Sequence, residues 1–401
     1  LPRPRFNGDK GGMMQDRLSR RQLLTRAGVI GCSLAASPLL TPVTLASAPW
    51  DRRLVVIILR GGMDGLDVVR PVGDPAYASL RPSLAAGDAG LDLDGYFTLH
   101  PALAPLMSLW RAEELGFFHS VSTPYRDKRS HFDGQDILEA GTERLHLGVR
   151  DGWLNRMLQQ VPGIRADTAY AIGNNDVRVL DGAAPVADWA PDATLGLSPQ
   201  AMRLAELVME EDPALHAALA EAQMLSAETG RMQNKGRPHR KIADFVASRL
   251  KEDARIAAFS LGGWDTHRRQ ARTLPRSLGQ LSETLLSLRS GLGADVWGKT
   301  AVVALTEFGR TARENGTGGT DHGTAGVMVM AGGAIRGGRI YGQWPGLATN
   351  ALYQERDLMP TADVRAPVAW IMRGLLGLDR VVLEEAVFPG LDLGVDPKVL
   401  K

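Results

Sequence analysis

The sequence predicts an α/β fold, a mostly parallel central sheet with helices on both faces. Three observations carry this. Continuous apolar, β-branched runs recur at 54–59 (LVVIIL), 300–305 (TAVVAL) and 326–331 (GVMVMA), the composition of strands buried on both faces. Segments of helical spacing lie between such runs, so strand and helix alternate along the chain. Glycine-rich polar loops carrying Asp, His and Glu follow the strands, and open parallel sheets bind ligands beyond the carboxyl ends of their strands.

With 401 residues the chain can bury a large core, and its composition is close to the globular average. No apolar run after residue 48 reaches the roughly 20 residues that a membrane span needs. Residues 1–48 are expected to be a Tat export signal with an N-terminal extension. Arg20-Arg21 precedes a weakly apolar segment at 27–45, and Ala46-Ser47-Ala48 has the small-x-small pattern of a signal-peptidase site. The expected location is periplasmic or extracellular, with the Tat translocase as partner during export. Residues 1–48 hold seven of the 46 Lys/Arg and two of the 45 Asp/Glu, so the remainder carries 39 basic against 43 acidic side chains, a net charge of −4. That balance gives no reason to expect a nucleic-acid partner. The single cysteine, Cys32, also lies in this segment, which leaves the rest without disulfides or thiolate ligands.

From residue 49 onward one α/β domain is expected. The strand at 54–59 runs into Gly61-Gly62-Met63-Asp64. A second strand, 116–121, leads through a polar loop to a helix with Ser130 as its N-cap and Asp133 three residues on. The rhythm breaks over 151–250, which is expected to be an insertion or cap over the sheet. It holds a helix at 153–160, a short strand at 170–172, Pro/Gly/Asp-rich loops and an amphipathic helix at 199–229. Alternation resumes with a strand at 255–260 and a helix presenting Leu278, Leu281, Leu285 and Leu288 on one face. Strands at 300–305 and 326–331 follow, then a packed helix at 364–376.

Asp64, Ser130, Asp265, His267, Glu307, Arg310, Asp321 and His322 all fall in loops after these strands, which gathers them on one edge of the sheet. Carboxylates and imidazoles without cysteine suit a divalent metal, zinc, manganese or calcium, as one or two ions. The candidate ligands are Asp64, Asp265, His267, Glu307, Asp321 and His322. Each has a simpler alternative. Asp265 or Thr266 can cap the following helix, Glu307 can pair with Arg310, and Asp321-His322 can be an ordinary polar turn.

The catalytic candidates are Ser130, His131, Arg129 and Arg310. Ser130 stands at the positive end of a helix dipole between Arg129 and His131, a place suited to phosphate or sulfate, though it can equally be only the cap. Arg310, if Glu307 binds a metal, is left to hold an anion. Ser122 is a second candidate nucleophile, because Ser122-Thr123-Pro124-Tyr125-Arg126 fits the Ser/Cys-x-Pro-x-Arg pattern of sulfatases.

Taken in order, five motifs resemble the domain-of-unknown-function family 1501. They are Gly61-Gly62-Met63-Asp64-Gly65, Ser130-His131-Phe132-Asp133-Gly134-Gln135, Gly262-Gly263-Trp264-Asp265-Thr266-His267, Thr306-Glu307-Phe308-Gly309-Arg310-Thr311 and Thr320-Asp321-His322-Gly323. The resemblance spans nearly all of the chain after the signal. It implies an alkaline phosphatase-like and sulfatase-like fold with a two-metal hydrolytic site at the carboxyl edge of the sheet. It further implies that Asp265 and His267 serve one metal, that His322 is the late histidine ligand, and that Ser130 stands where the nucleophile would be. Phe308 replaces the histidine that the superfamily places after its acidic ligand, here Glu307, and Asp64 comes several residues past its strand. The expected function is an exported metal-dependent hydrolase acting on a small anionic ester of phosphate or sulfate. The alternative, favoured by the missing histidine, is a non-catalytic member that binds an ion, anion or glycan and acts with an envelope protein partner.

Overall fold

The computed structural model describes residues 50–86, 90–126, 129–145, 150–173, 177–190 and 237–401. The expected export signal and the helix expected at 199–229 lie outside the described residues.

Nine strands form the main sheet: β1 (Arg53–Leu59), β2 (Leu115–Ser122), β3 (Ala169–Ile172), β4 (Ala187–Trp189), β5 (Ile256–Leu261), β6 (Thr300–Leu305), β7 (Gly326–Ala331), β8 (Ile340–Tyr341) and β9 (Ala362–Asp363). Their order is β8-β2-β7-β6-β1-β5-β3-β4, with β9 also paired to β2. All pairings are parallel except those of β7, which runs antiparallel to β2 and β6. A short three-stranded sheet of Val69–Arg70, Thr98–Leu99 and Leu91–Asp92 lies apart from it.

The continuous apolar run of β1 is divided by the pleat. Val55, Ile57 and Leu59 enter one core, and Leu54, Val56 and Ile58 enter the other. On the first face lie α3 (Pro238–Lys251) and α4 (Gln270–Gly298), which bring Phe245, Leu278, Leu281, Leu285 and Leu288. On the second lie α2 (Trp153–Gln159) and α5 (Arg365–Leu376), with Trp153, Leu154, Val368 and Ile371. Helices therefore cover both faces, as the alternating pattern predicts. Among the described residues no helix is long and apolar enough to cross a membrane.

Two features go beyond what the sequence predicts. The strand at 326–331 is antiparallel, because the loop 306–325 turns back at the edge where β6 ends. Within the described parts of 151–250, residues 169–172 and 187–189 are strands of the sheet itself, while α2 and α3 lie on its two faces. β3 and β4 extend the sheet beyond β5, and α3 packs along α4; residues 191–236 lie outside the described residues.

One buried polar side chain in β2 makes stability depend on pH. His119 is 2% exposed, with Nε2 3.2 Å from the Val69 carbonyl and Nδ1 accepting from Ser120 N–H at 2.9 Å. Burial pushes its pKa from 6.5 down to about 4. An unfolded histidine takes up its proton as pH falls through the ordinary value, while the folded one waits until about 4. The contribution of His119 is therefore full above pH 6.5 and lost between there and pH 4, by about 3 kcal/mol at most. Denaturant midpoints measured from pH 7 to 4 should fall less steeply in His119→Gln than in the wild type. Parallel profiles would contradict this.

Candidate metal centre

Because β1, β2, β5 and β6 run the same way, the loops after them meet at one edge, and antiparallel β7 enters from that edge. His322, which precedes β7, thus joins residues that follow the other strands. Gly61 and Gly62 let the loop after β1 lie against the others. A Cβ at Gly61 (φ +124°) would stand 2.6 Å from Asp265 N, and one at Gly62 2.7 Å from the Phe308 ring. The loop after β5 is anchored by fully buried Trp264, whose Nε1 donates to the Leu261 carbonyl at 2.9 Å.

Three side chains converge, with a fourth beside two of them. His131, Asp265 and His322 each bring one ligand atom within 4.8 Å of the others. His131 Nε2 is 3.5 Å from Asp265 Oδ2, and His322 Nε2 is 3.5 Å from Asp265 Oδ1. His267 Nε2 completes the group, 3.0 Å from Asp265 Oδ1 and 2.9 Å from His322 Nε2. The Asp265 and His267 side chains are 47% and 38% exposed, so the centre opens on their side.

The opposite nitrogen of each ring explains why these atoms point inward. His131 Nδ1 lies 2.7 Å from Glu307 Oε1, His267 Nδ1 3.2 Å from Asp321 Oδ1, and His322 Nδ1 2.8 Å from the Arg129 carbonyl. Ionised carboxylates and carbonyls only accept, so each Nδ1 carries a proton, and a ring without a second proton offers a lone pair at Nε2. Nε2 lone pairs facing an aspartate, with His131 Nε2 buried and without a hydrogen-bond partner among the described residues, would form a set of metal donors. Such a set fits a divalent cation, and histidine ligands elsewhere are fixed through their second nitrogen in this way.

Electrostatics keep the carboxylates charged. Burial alone would raise Glu307, but hydrogen bonds from His131 and Gln135 outweigh it and hold the carboxyl below its ordinary value. Burial likewise opposes ionisation of Asp265, and the bond from Arg310 overcomes it. The Asn315 amide holds Asp321 low. The Glu307 carboxylate holds His131 above the usual histidine value, while burial pushes His322 down.

Several residues take other places than the sequence suggests. Glu307 Oε1 accepts from His131, from Gly61 N–H at 2.9 Å and from Gln135 at 3.1 Å. Asp321 likewise accepts from His267 and Asn315. Asp64 is fully buried and ion-paired to Arg81 at 2.7 Å, apart from the converging atoms. Arg310 is 1% exposed, and each of its three nitrogens already donates, to the carbonyls of Gly61, Gly62, Trp264 and Thr320 and to Asp265. It braces Asp265 and has no open face for an anion. Ser130 Oγ accepts from Asp133 N–H at 3.4 Å as the N-cap of α1 (His131–Ala140). Ser122 Oγ is buried at the end of β2 without a hydrogen-bond partner among the described residues. Arg129 is exposed and joins the centre through its carbonyl.

Two residues contribute in another way than the sequence suggests. His131, expected as a catalytic neighbour of Ser130, supplies a converging nitrogen. Phe308 packs its ring 5.1 Å from that of His131 and 4.8 Å from that of His322, forming an apolar wall where a histidine was expected.

Residues 120–368 match the family model of DUF1501, a protein family of unknown function. No curated protein matches the chain. Among solved structures the chain is similar to the lipoteichoic acid synthase LtaP from Listeria monocytogenes, with 9% identity and a TM-score of 0.39 over 86% of this chain and 77% of that one. It is similar to a protein of the alkaline phosphatase superfamily from Vibrio parahaemolyticus, with 12% identity and a TM-score of 0.37 over 94% and 80% of the two chains. It is also similar to a TAB5 alkaline phosphatase mutant with magnesium bound, with 11% identity and a TM-score of 0.36 over 74% and 95%.

Proposed function

The chain belongs to the DUF1501 family, which brings no activity with it, and from the side chains themselves we propose an exported, metal-dependent hydrolase of phosphate or sulfate esters. The observation that carries the reading is the convergence of His131, Asp265 and His322, with His267 Nε2 close to Asp265 and His322 and every Nδ1 committed to an acceptor. Three nitrogens and one carboxylate suit zinc or manganese better than calcium, which prefers oxygen ligands, and they suit one ion.

His131, Asp265, His267 and His322 would hold that ion. When bound, it would polarise an ester oxygen and lower the pKa of a water. Glu307 and Asp321 fix the imidazoles of His131 and His267, and Arg310 fixes Asp265. An anionic group entering from the exposed side meets Arg129 and the amino end of α1. Because the Ser130 hydroxyl hydrogen-bonds none of the four ligand side chains among the described residues, water is the better nucleophile. A second reading, an ion or anion binder acting with an envelope protein, has one observation in its favour. No serine or threonine hydroxyl hydrogen-bonds a side chain of the four ligands among the described residues.

The test is hydrolysis of aryl phosphates and aryl sulfates with added zinc or manganese. His267→Ala should abolish turnover. Ser130→Ala should keep it while lowering stability by about 1 kcal/mol, the usual loss of a cap. Loss of turnover in a folded Ser130→Ala protein would make the serine the nucleophile. Wild type inert across the panel would end the hydrolase reading in favour of binding.

A further inference from the structure

We propose that Gln270 is a positioning residue that locks the two ligand-bearing loops together, an inference that rests on the metal-centre reading above. Gln270 opens α4 and is fully buried. Its amide is engaged at both ends. Oε1 accepts from Thr266 Oγ1 at 2.9 Å and from Thr320 Oγ1 at 2.8 Å. Nε2 donates to Asp64 Oδ2 at 2.6 Å and to Asp67 Oδ2 at 2.8 Å. Thr266 lies between Asp265 and His267, and Thr320 precedes Asp321 and His322. The Gln270 backbone N–H also donates to the Gly318 carbonyl at 2.8 Å, which holds the second loop again.

One side chain thus ties the loop after β5, the loop between β6 and β7, and the segment after β1. The tie ends on a fixed post. Asp64 is held by Arg81, whose other nitrogens donate to the carbonyls of Thr311 and Ala312 at 2.7 and 2.9 Å. The chemistry requires an amide. A glutamate could not donate to two carboxylates, and a lysine could not accept from two hydroxyls. The His267–His322 separation of 2.9 Å depends on the relative placement of these loops, so a loosened clamp spreads the ligand atoms while leaving each ligand intact.

The experiment uses the whole chain after residue 48 with cobalt(II) as the metal probe, followed by absorption titration. Hydrogen exchange of the amides of 262–268 and 316–323 is measured alongside, without metal. Gln270→Met keeps the volume and removes both arms. It should weaken cobalt binding by about tenfold or more and raise exchange in both loops. Thr266→Val should then have little further effect in the Gln270→Met background, because the two act through one bond network. Cobalt affinity and exchange like those of the wild type, or fully additive effects, would overturn the proposal. If Gln270→Met does not fold, a cycle of Thr266→Val and Thr320→Val decides, with coupling expected and additivity overturning it. A wild type that binds no cobalt would remove the metal reading alone. Exchange would still judge Gln270: loosening of both loops supports the clamp, and loosening of one or neither overturns it.

Discussion

Arg81→Met should destabilise the protein by about 3–5 kcal/mol, the usual cost of removing one partner of a buried ion pair. Arg81 and Asp64 are both fully buried, 2.7 Å apart. Burial alone would raise the Asp64 carboxyl, but the Arg81 guanidinium outweighs it and holds the group below its ordinary value. Without Arg81 the charge keeps, among the described residues, one neutral side-chain donor, the Gln270 amide, because the Thr320 hydroxyl proton is given to Gln270. The sign with pH follows. A depressed folded pKa gives stability above the unfolded carboxylate value that is lost as pH falls through the folded one. The gap between wild type and variant should therefore narrow in acid, as Asp64 protonates in the variant first. Arg81→Met/Asp64→Leu should recover part of the loss, since an apolar pair leaves no charge behind. Urea unfolding at pH 7 and pH 4 checks all three. A loss below 1 kcal/mol at pH 7 would show that the pair is not what fixes the segment after β1.

The second large effect concerns Glu307. If it orients His131 and does not ligate, Glu307→Ala should weaken zinc binding about 10–100-fold, or about 1.4–2.7 kcal/mol. Glu307→Gln should lose much less, because an amide oxygen still accepts from His131 Nδ1 and Gly61 N–H. Chelator competition separates the roles. Were Glu307 a ligand, the glutamine variant would fall as far as the alanine variant.

The difference between orienting and ligating was not legible in the sequence. Spacing brings Glu307, Asp265 and His322 to one edge, because runs such as 54–59 and 300–305 identify doubly buried strands. Which atom faces the centre depends on a few ångströms of packing, and for Glu307 complete burial against Gly61 and His131 decides it. Asp64 likewise finds its partner 17 residues on, in Arg81, with no motif linking the two. Arg310 looked available because nothing local shows that carbonyls from two distant loops surround it. The fold was more legible, except where an element carries little pattern of its own. β3 and β4 are short and join the sheet only through tertiary pairing, and an apolar run such as that of β7 does not encode its direction.

The central claim is that His131, Asp265, His267 and His322 hold a metal ion. Elemental mass spectrometry of the chain from residue 49, produced in an exporting host, tests it beside an Asp265→Ala/His267→Ala protein shown to fold. The account predicts close to one zinc or manganese per wild-type chain and none in the double variant. Metal-free wild-type protein, unable to take up either ion on addition, would contradict it and leave the four side chains as a hydrogen-bonded cluster.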